Sequence, residues 1–339
     1  MRKALIILMT FTLIGTLAFN VYAAESAVKL PQKLIWNHAS PPGLITKIYE
    51  SLWADFEKAT NGQITIRQVP KLYQPKEAIE ACMAGGLKIV DGTPFRLYAQ
   101  DPTWDLFNLP KVFDDFDHLI RFTGTKEFQG FVADFEKRSG LRLVPGSEKF
   151  IMFKMILYSV NKLASIDDIQ GHDMRVQSGT TNTRTAKALG TNPIVIETSE
   201  VPVAIQTGMF DVMVASQSVG WVKAMGVLDK MKYFVSDPMI ISNVMIFWNS
   251  KFFHSLPKEV QKQLDDASRA WQPGANAKYK EYVDVTSYGY NKKNATEIIF
   301  SEEEKAKWRK KVKGVHDEYV KQAPKWGPKL LDAVEATRQ

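Results

Sequence analysis

Short apolar runs alternate with amphipathic helical stretches, and this alternation constrains the fold more than any other feature of the chain. Lys33 to His38 reads as a strand, and Pro41-Pro42 opens a helix. Its apolar positions, Ile45, Ile48, Tyr49, Leu52, Trp53, Phe56 and Ala59, share one helical face. Asn61-Gly62 ends it. Gln63 to Val69 alternates apolar and polar residues as a strand does, Gln74 to Ala84 is a second helix, and Leu87 to Asp91 is a third strand. The same grammar returns later. Lys154–Val160, His172–Gln177, Asn192–Ile196 and Phe210–Ala215 read as strands, with helices near Thr181–Leu189 and Glu200–Thr207. Such alternation argues for parallel sheets with helical crossovers, built twice. No sequence repeat relates the halves. The tail differs: a strand over Asn243–Asn249, then separate helices over Leu256–Trp271 and Ala275–Lys293. A capped helix opens at Ser301, with Glu304 three residues on.

The length, 339 residues, suits about two domains. The chain opens with Arg2 and Lys3, an apolar run from Ala4 to Phe19, and Val21-Tyr22-Ala23 as a cleavage site. That is the pattern of a secretory signal peptide over residues 1–23, cut after Ala23 or Ala24. The apolar run is shorter than the ~20 residues of a spanning helix. No cysteine follows it, which argues against a lipid anchor. Cys82 is the only cysteine, which excludes an internal disulfide and a cysteine-based zinc site. The five histidines include no H-x-x-x-H pair. The net charge of +7, two units of it in the leader, suits anionic solutes only weakly. Nothing resembles a nucleic-acid-binding module. The basic run Trp308–Lys313 reads as the solvated face of an amphipathic helix. No nucleophile-elbow, zincin, P-loop or dinucleotide motif is present, so a secreted hydrolase is the weaker alternative.

Several segments, taken in order, resemble the solute receptors of TRAP (tripartite ATP-independent periplasmic) transporters. Ile166-Asp167-Asp168-Ile169-Gln170-Gly171-His172-Asp173-Met174-Arg175-Val176 is similar to that family's "peDlkGlKiRv". Leu189-Gly190-Thr191-Asn192-Pro193-Ile194 resembles "lGanPv", and Ser199 to Gly208 resembles "sEvytALqtG". Asn108 to Phe113 and Asn243 to Pro257 match further segments, so the likeness runs through nearly the whole chain after the leader. The resemblance implies an α/β periplasmic-binding-protein fold of two lobes. Each lobe is a mixed sheet flanked by helices, and crossing strands and a long helix join them. The expected division is 24–150 with 236–275 for one lobe, and 151–235 with 276–339 for the other. It also implies a receptor with no chemistry of its own and no cofactor. A small organic acid binds between the lobes of a monomer and passes to membrane permease subunits. A receptor of another importer class or of a sensor system is the alternative.

A carboxylate in a closed cleft needs charge-assisted donors, and a planar guanidinium grips both its oxygens. Arg175 ends a predicted strand, where open sheets bind ligands, and matches the family's carboxylate-clamping arginine. Arg96 follows the turn Gly92-Thr93-Pro94-Phe95, near where some members place a second arginine; a surface-helix arginine is the alternative. Many members carry an arginine in a crossing strand, where this chain has Phe153, Lys154 and Met155. Lys154 offers one point charge there. Ser216 and Gln217 stand where members have a solute-binding asparagine. Asn37 and His38 end the first strand and are candidates for reading a polar group. For His38 a hydrogen-bonded structural role is the alternative. Thr93 fits the turn, and Phe95 and Trp221 are expected to form an apolar wall, ahead of Trp36, Trp104 and Trp248. One clamping arginine and several aromatics favour a monocarboxylate with an apolar or ring-bearing body.

Overall fold

The computed structural model describes residues 28–38, 43–70, 72–177 and 179–339. The expected leader, the opening of the first helix at Pro41-Pro42 and the side chain of His38 lie outside the described residues. Among the described residues, no helix is long and apolar enough to cross a membrane.

The strands are β1 Gln32–His38, β2 Ile64–Pro70, β3 Ile89–Gly92, β4 Leu141–Leu143, β5 Ile151–Ser159, β6 Asp173–Val176, β7 Asn192–Val195, β8 Val212–Ser216, β9 Tyr233–Asn243, β10 Met245–Asn249 and β11 Thr296–Ile298. They form two sheets, ordered β2-β1-β3-β10-β4 and β11-β9-β5-β8-β6-β7. Each sheet is mixed rather than purely parallel. In the first, β1 runs parallel to β2 and β3, while β10 lies antiparallel between β3 and β4, with Phe247 opposite Val90 and Leu143. In the second, β6 is parallel to β7 and β8, while β5 is antiparallel to β8 and β9. Crossovers alone predict parallel pairs. The antiparallel pairs arise because the chain returns, β4 to β5 and β9 to β10, after visiting the other sheet. Asn243 Nδ2 donates to Glu148 O at 2.6 Å and ties these two crossings together.

The first lobe is built on aromatic packing. Phe128, Phe131 and Phe135 face inward from the helix Lys126–Ser139 at helical spacing. Trp104 meets Phe131 and Phe135 edge-on, at centroid distances of 4.8 and 5.1 Å. The second lobe is a sheet between two smaller, mostly aliphatic clusters. One lies under the helices Thr180–Ala188 and Glu302–Gln322, the other under Val201–Thr207 and Val219–Ala224.

The boundary expected near residue 236 falls inside β9, which pairs with β5 and β11 along its length. Its sequence hides it, because Asp237-Pro238 interrupts the strand pattern. The proline is accommodated in an irregularity, where β5 pairing jumps from Met155↔Ile240 to Leu157↔Val235. Lys111 fills that gap: its N–H donates to Met239 O at 2.7 Å, and its ammonium pairs with Asp237 and lies 4.0 Å from the Trp308 ring. The C-terminal helix Gly327–Ala336 places Leu330 and Val334 in the core of the first lobe, not the second.

The two helices expected either side of Pro273 are one. Lys258–Glu281 runs through the proline, continues as a π turn over Tyr282–Ser287, and ends as Tyr288–Asn294. An internal proline costs a helix about 3 kcal/mol. Here packing at both ends of the rod offsets it: Leu264 and Trp271 lie in the first core, and Tyr288 and Tyr290 lie against the second lobe. At the π turn, Gln217 Nε2 donates to Val283 O at 3.2 Å, and Val219 N donates to Ser287 Oγ at 3.1 Å. Beyond it, Asn291 Nδ2 donates to Gln217 O at 3.0 Å and its Oδ1 accepts from Tyr158 OH at 2.8 Å.

Candidate functional site: a cleft between the lobes

A cavity of about 550 Å³ opens between the two sheets. The second lobe contributes carboxyl ends of strands: Arg175 and Gln177 from β6, Glu197 and Thr198 beyond β7, and Ser216 at the end of β8. The first lobe contributes Phe95 and Arg96 from the turn after β3, and Gln74 and Lys76 from the start of a helix after β2. The crossing strands supply the floor, with Phe153 and Met155 from β5 and Ile240 and Ser242 from β9.

Arg175 is 1% exposed. Its Nε donates to Ile196 O at 3.0 Å, and Nη2 reaches Thr198 Oγ1 at 3.5 Å. Both partners are neutral, and no protein carboxylate lies within ion-pair distance among the described residues. Burial lowers its pKa to about 10, and the field of Glu197 opposes the fall. The guanidinium is therefore fixed along one edge by the chain beyond β7 and keeps an unneutralised charge at the cavity.

Arg96 is held differently. It stacks on Phe95, 5.1 Å from the ring centroid. Burial lowers its pKa, while Asp91 and then Tyr49 oppose the shift. Asp91 sits on β3 behind it, and burial lifts that carboxyl to about 6 against the pull of Arg96. Lys76, at the mouth, pairs with Glu80 at 3.9 Å.

Of the residues singled out from sequence, the structure brings Arg175, Arg96, Phe95, Ser216 and Trp221 to the cavity. It places seven others elsewhere. Lys154 pairs with Asp284 at 3.6 Å, because side chains alternate along β5 and its neighbours Phe153 and Met155 take the cleft face. Asn37 is buried and clasps the backbone of Tyr73, accepting at 2.8 Å and donating at 3.2 Å. Gln217, just beyond β8, is buried against the long helix. Thr93 is buried at the foot of its turn. Trp36, Trp104 and Trp248 are core residues of the first lobe. Sequence reasoning missed Lys76, Gln74 and Glu197. For Glu197 a signal existed, since it follows the end of a strand, where such sheets face the cleft.

Asp105 and Thr181 join the two walls. The Thr181 hydroxyl donates to Asp105 across the lobes, and Asn108, which lines the cavity, donates to the same carboxylate at 2.7 Å. Among the described residues, no group of three or more acidic, histidine or cysteine side chains could hold a metal.

Two mixed sheets, crossing strands and a deep cleft between lobes define a solute receptor of the periplasmic-binding-protein class. The family model for bacterial extracellular solute-binding protein, family 7, matches residues 37–322, and the chain belongs to that family. The C4-dicarboxylate-binding periplasmic protein DctP of Rhodobacter capsulatus is 27% identical over 334 residues, covering 96% of each chain. The C4-dicarboxylate-binding protein DctB of Bacillus subtilis is 23% identical over 305 residues, 86% of this chain and 81% of that one. Among solved structures, a TRAP periplasmic solute binding protein from Desulfovibrio desulfuricans with bound sn-glycerol-3-phosphate superposes with a TM-score of 0.80 at 20% identity. The match covers 91% of this chain and 98% of that one. A TRAP periplasmic solute binding protein from Ochrobactrum anthropi gives 0.82 at 16% identity, over 91% and 96% of the two chains. The family resemblance and the two-lobed mixed α/β architecture read from the sequence are borne out. The family is one of solute receptors.

Proposed function

We propose that this protein captures a small organic acid in the periplasm and delivers it to the membrane subunits of a TRAP transporter. One observation carries the reading: Arg175 is buried at the cavity with only neutral partners. A charged side chain taken out of water calls for an opposite charge, and a carboxylate supplies it with two parallel hydrogen bonds. Phe95, Phe153, Trp221 and Ile240 offer apolar surface to the body of such an acid. That composition favours a monocarboxylate. Closure of the lobes would then be a hinge motion, with the bound acid favouring the closed form.

Arg96 and Lys76 on the opposite wall favour a second reading, a C4-dicarboxylate, the solute that the names of the Rhodobacter and Bacillus relatives state for those proteins. A thermal-shift screen separates the two. A ligand at 100 times its dissociation constant stabilises by about 2.7 kcal/mol. Monocarboxylates with four- to nine-carbon bodies should raise the melting temperature more than succinate or malate at equal concentration. A larger shift with succinate selects the dicarboxylate reading. A shift with neutral sugars and none with acids removes the carboxylate altogether.

A further inference from the structure

Glu197 is an unexpected residue for a cavity built to take an anion. It lines the cleft beside Arg175, between the two residues, Ile196 and Thr198, that hold the guanidinium. Its carboxylate has no hydrogen-bonding or ion-pair partner among the described residues, although its backbone N–H donates to Glu200. It stands near enough to be felt by Arg175 as a charge, yet the two do not form an ion pair.

The other cations of the cleft also have acids on their own lobe. Arg96 has Asp91 behind it, and Lys76 has Glu80. Asp91 and Glu80 do not line the cavity; Glu197 does. Arg175, with neutral partners only in contact, therefore supplies a single excess charge, where a desolvated dianion needs two. It presents instead a donor fork and an acceptor side by side on one wall.

We infer that Glu197 selects carboxylates carrying an N–H or O–H donor on the carbon next to the acid group, with Arg175 taking the carboxylate and Glu197 accepting from the donor. This rests on the proposed carboxylate-receptor function and names its solute class: 2-amino or 2-hydroxy acids with apolar bodies. A plain alkanoate leaves Glu197 facing it with a repelled charge and no bond. A site built to bond a donor rejects the analogue that lacks it, because its own polar group is left unpaired.

The test compares 4-methylpentanoate, 2-hydroxy-4-methylpentanoate and leucine, with 3-phenylpropionate, phenyllactate and phenylalanine as a second matched set. Titration calorimetry is run on the mature chain and on Glu197→Gln. Glu197 is exposed, so the variant's unliganded melting curve should match the wild type. The wild type should bind a donor-bearing acid at least about tenfold more tightly than its plain analogue. In Glu197→Gln that preference should shrink, with the plain acid gaining affinity as repulsion is removed. A loss confined to the amino acid identifies attraction between the carboxylate and a cationic donor; equal losses for amino and hydroxy acids identify a hydrogen bond that needs the carboxylate's charge, since the glutamine amide oxygen still accepts. Equal affinities in the wild type, or one common factor of change for all three acids in Glu197→Gln, overturns the inference while leaving the carboxylate receptor intact. If no acid binds the wild type, the receptor reading fails and this inference goes with it.

Discussion

Arg175 and Arg96 face one cavity from opposite lobes, and their settings differ. Arg175 is fully buried, gripped by a backbone carbonyl and a hydroxyl, with no carboxylate in ion-pair reach. Arg96 is partly exposed, stacked on Phe95 and backed by Asp91 on the neighbouring strand. The first charge is left for something outside the protein to neutralise. The second has the ring of Phe95 against it and the field of Asp91 behind it, although it forms no ion pair with that carboxylate. In a binding cleft, the cation the fold leaves unmatched marks the anchor, and the matched one tunes.

The largest expected effect is on the anchor. Arg175→Ala should weaken binding by about 10²-fold to several 10³-fold, since losing one side of a desolvated pair costs roughly 3–5 kcal/mol. Calorimetry would show it, and the unliganded melting temperature should stay near wild type. Arg175→Lys keeps the charge but not the fork and should fall between. Unchanged affinity in Arg175→Ala would reverse the roles given to the two arginines.

Arg96→Gln should do the opposite: about a tenfold loss of affinity, but a clear loss of stability. It strands the Asp91 carboxylate. At pH 5 that group is mostly protonated, so the deficit in melting temperature should be small; above pH 6 it ionises without its partner and the deficit should grow. A deficit independent of pH would break the link between the two residues.

In the wild type the same group makes binding depend on pH. As pH falls through about 6, Asp91 takes up a proton and Arg96 is left less opposed, while a typical solute carboxylate stays ionised. Affinity for a monocarboxylate should therefore rise several-fold between pH 8 and pH 5. Asp91→Asn should flatten that profile. Tyr49, which feels the charge of Asp91, is held up by burial and stays neutral through this range, as does Tyr279 near it.

The smallest effect concerns the contact that joins the two walls. Thr181→Val removes the hydroxyl bonded to Asp105 across the lobes. At about 1 kcal/mol for such a bond, affinity should fall about fivefold, chiefly through faster release in stopped-flow measurements. An unchanged release rate would mean that this bond does not resist opening.

Much of this was legible before the structure. Arg175 and Ser216 lie at the carboxyl ends of strands and Phe95, Arg96 and Trp221 follow such ends, and strand ends in such sheets face the cleft. The errors have physical causes. Lys154 is a candidate by its charge and by the family's crossing-strand arginine, but the period of two along β5 gives the cleft to Phe153 and Met155. Asn37 and Gln217 do end strands, but their amides satisfy buried backbone groups that no sequence pattern announces. Pro238 concealed β9 and Pro273 divided one helix into two, because tertiary packing outweighed the local cost of each proline.

The π turn at Tyr282–Ser287 gives the long helix one residue more than a regular α-helix would hold over the same rotation. The wide turn absorbs that residue, so the side chains beyond it keep their faces, with Asn291 on Gln217 and Tyr158. Deleting the exposed Val285 would restore a regular helix and leave those faces in place. A second added residue would find no slack left to take it up and would swing Asn291 about 100° away from both partners. Loss of a residue is thus tolerated at this surface position where gain of one is not.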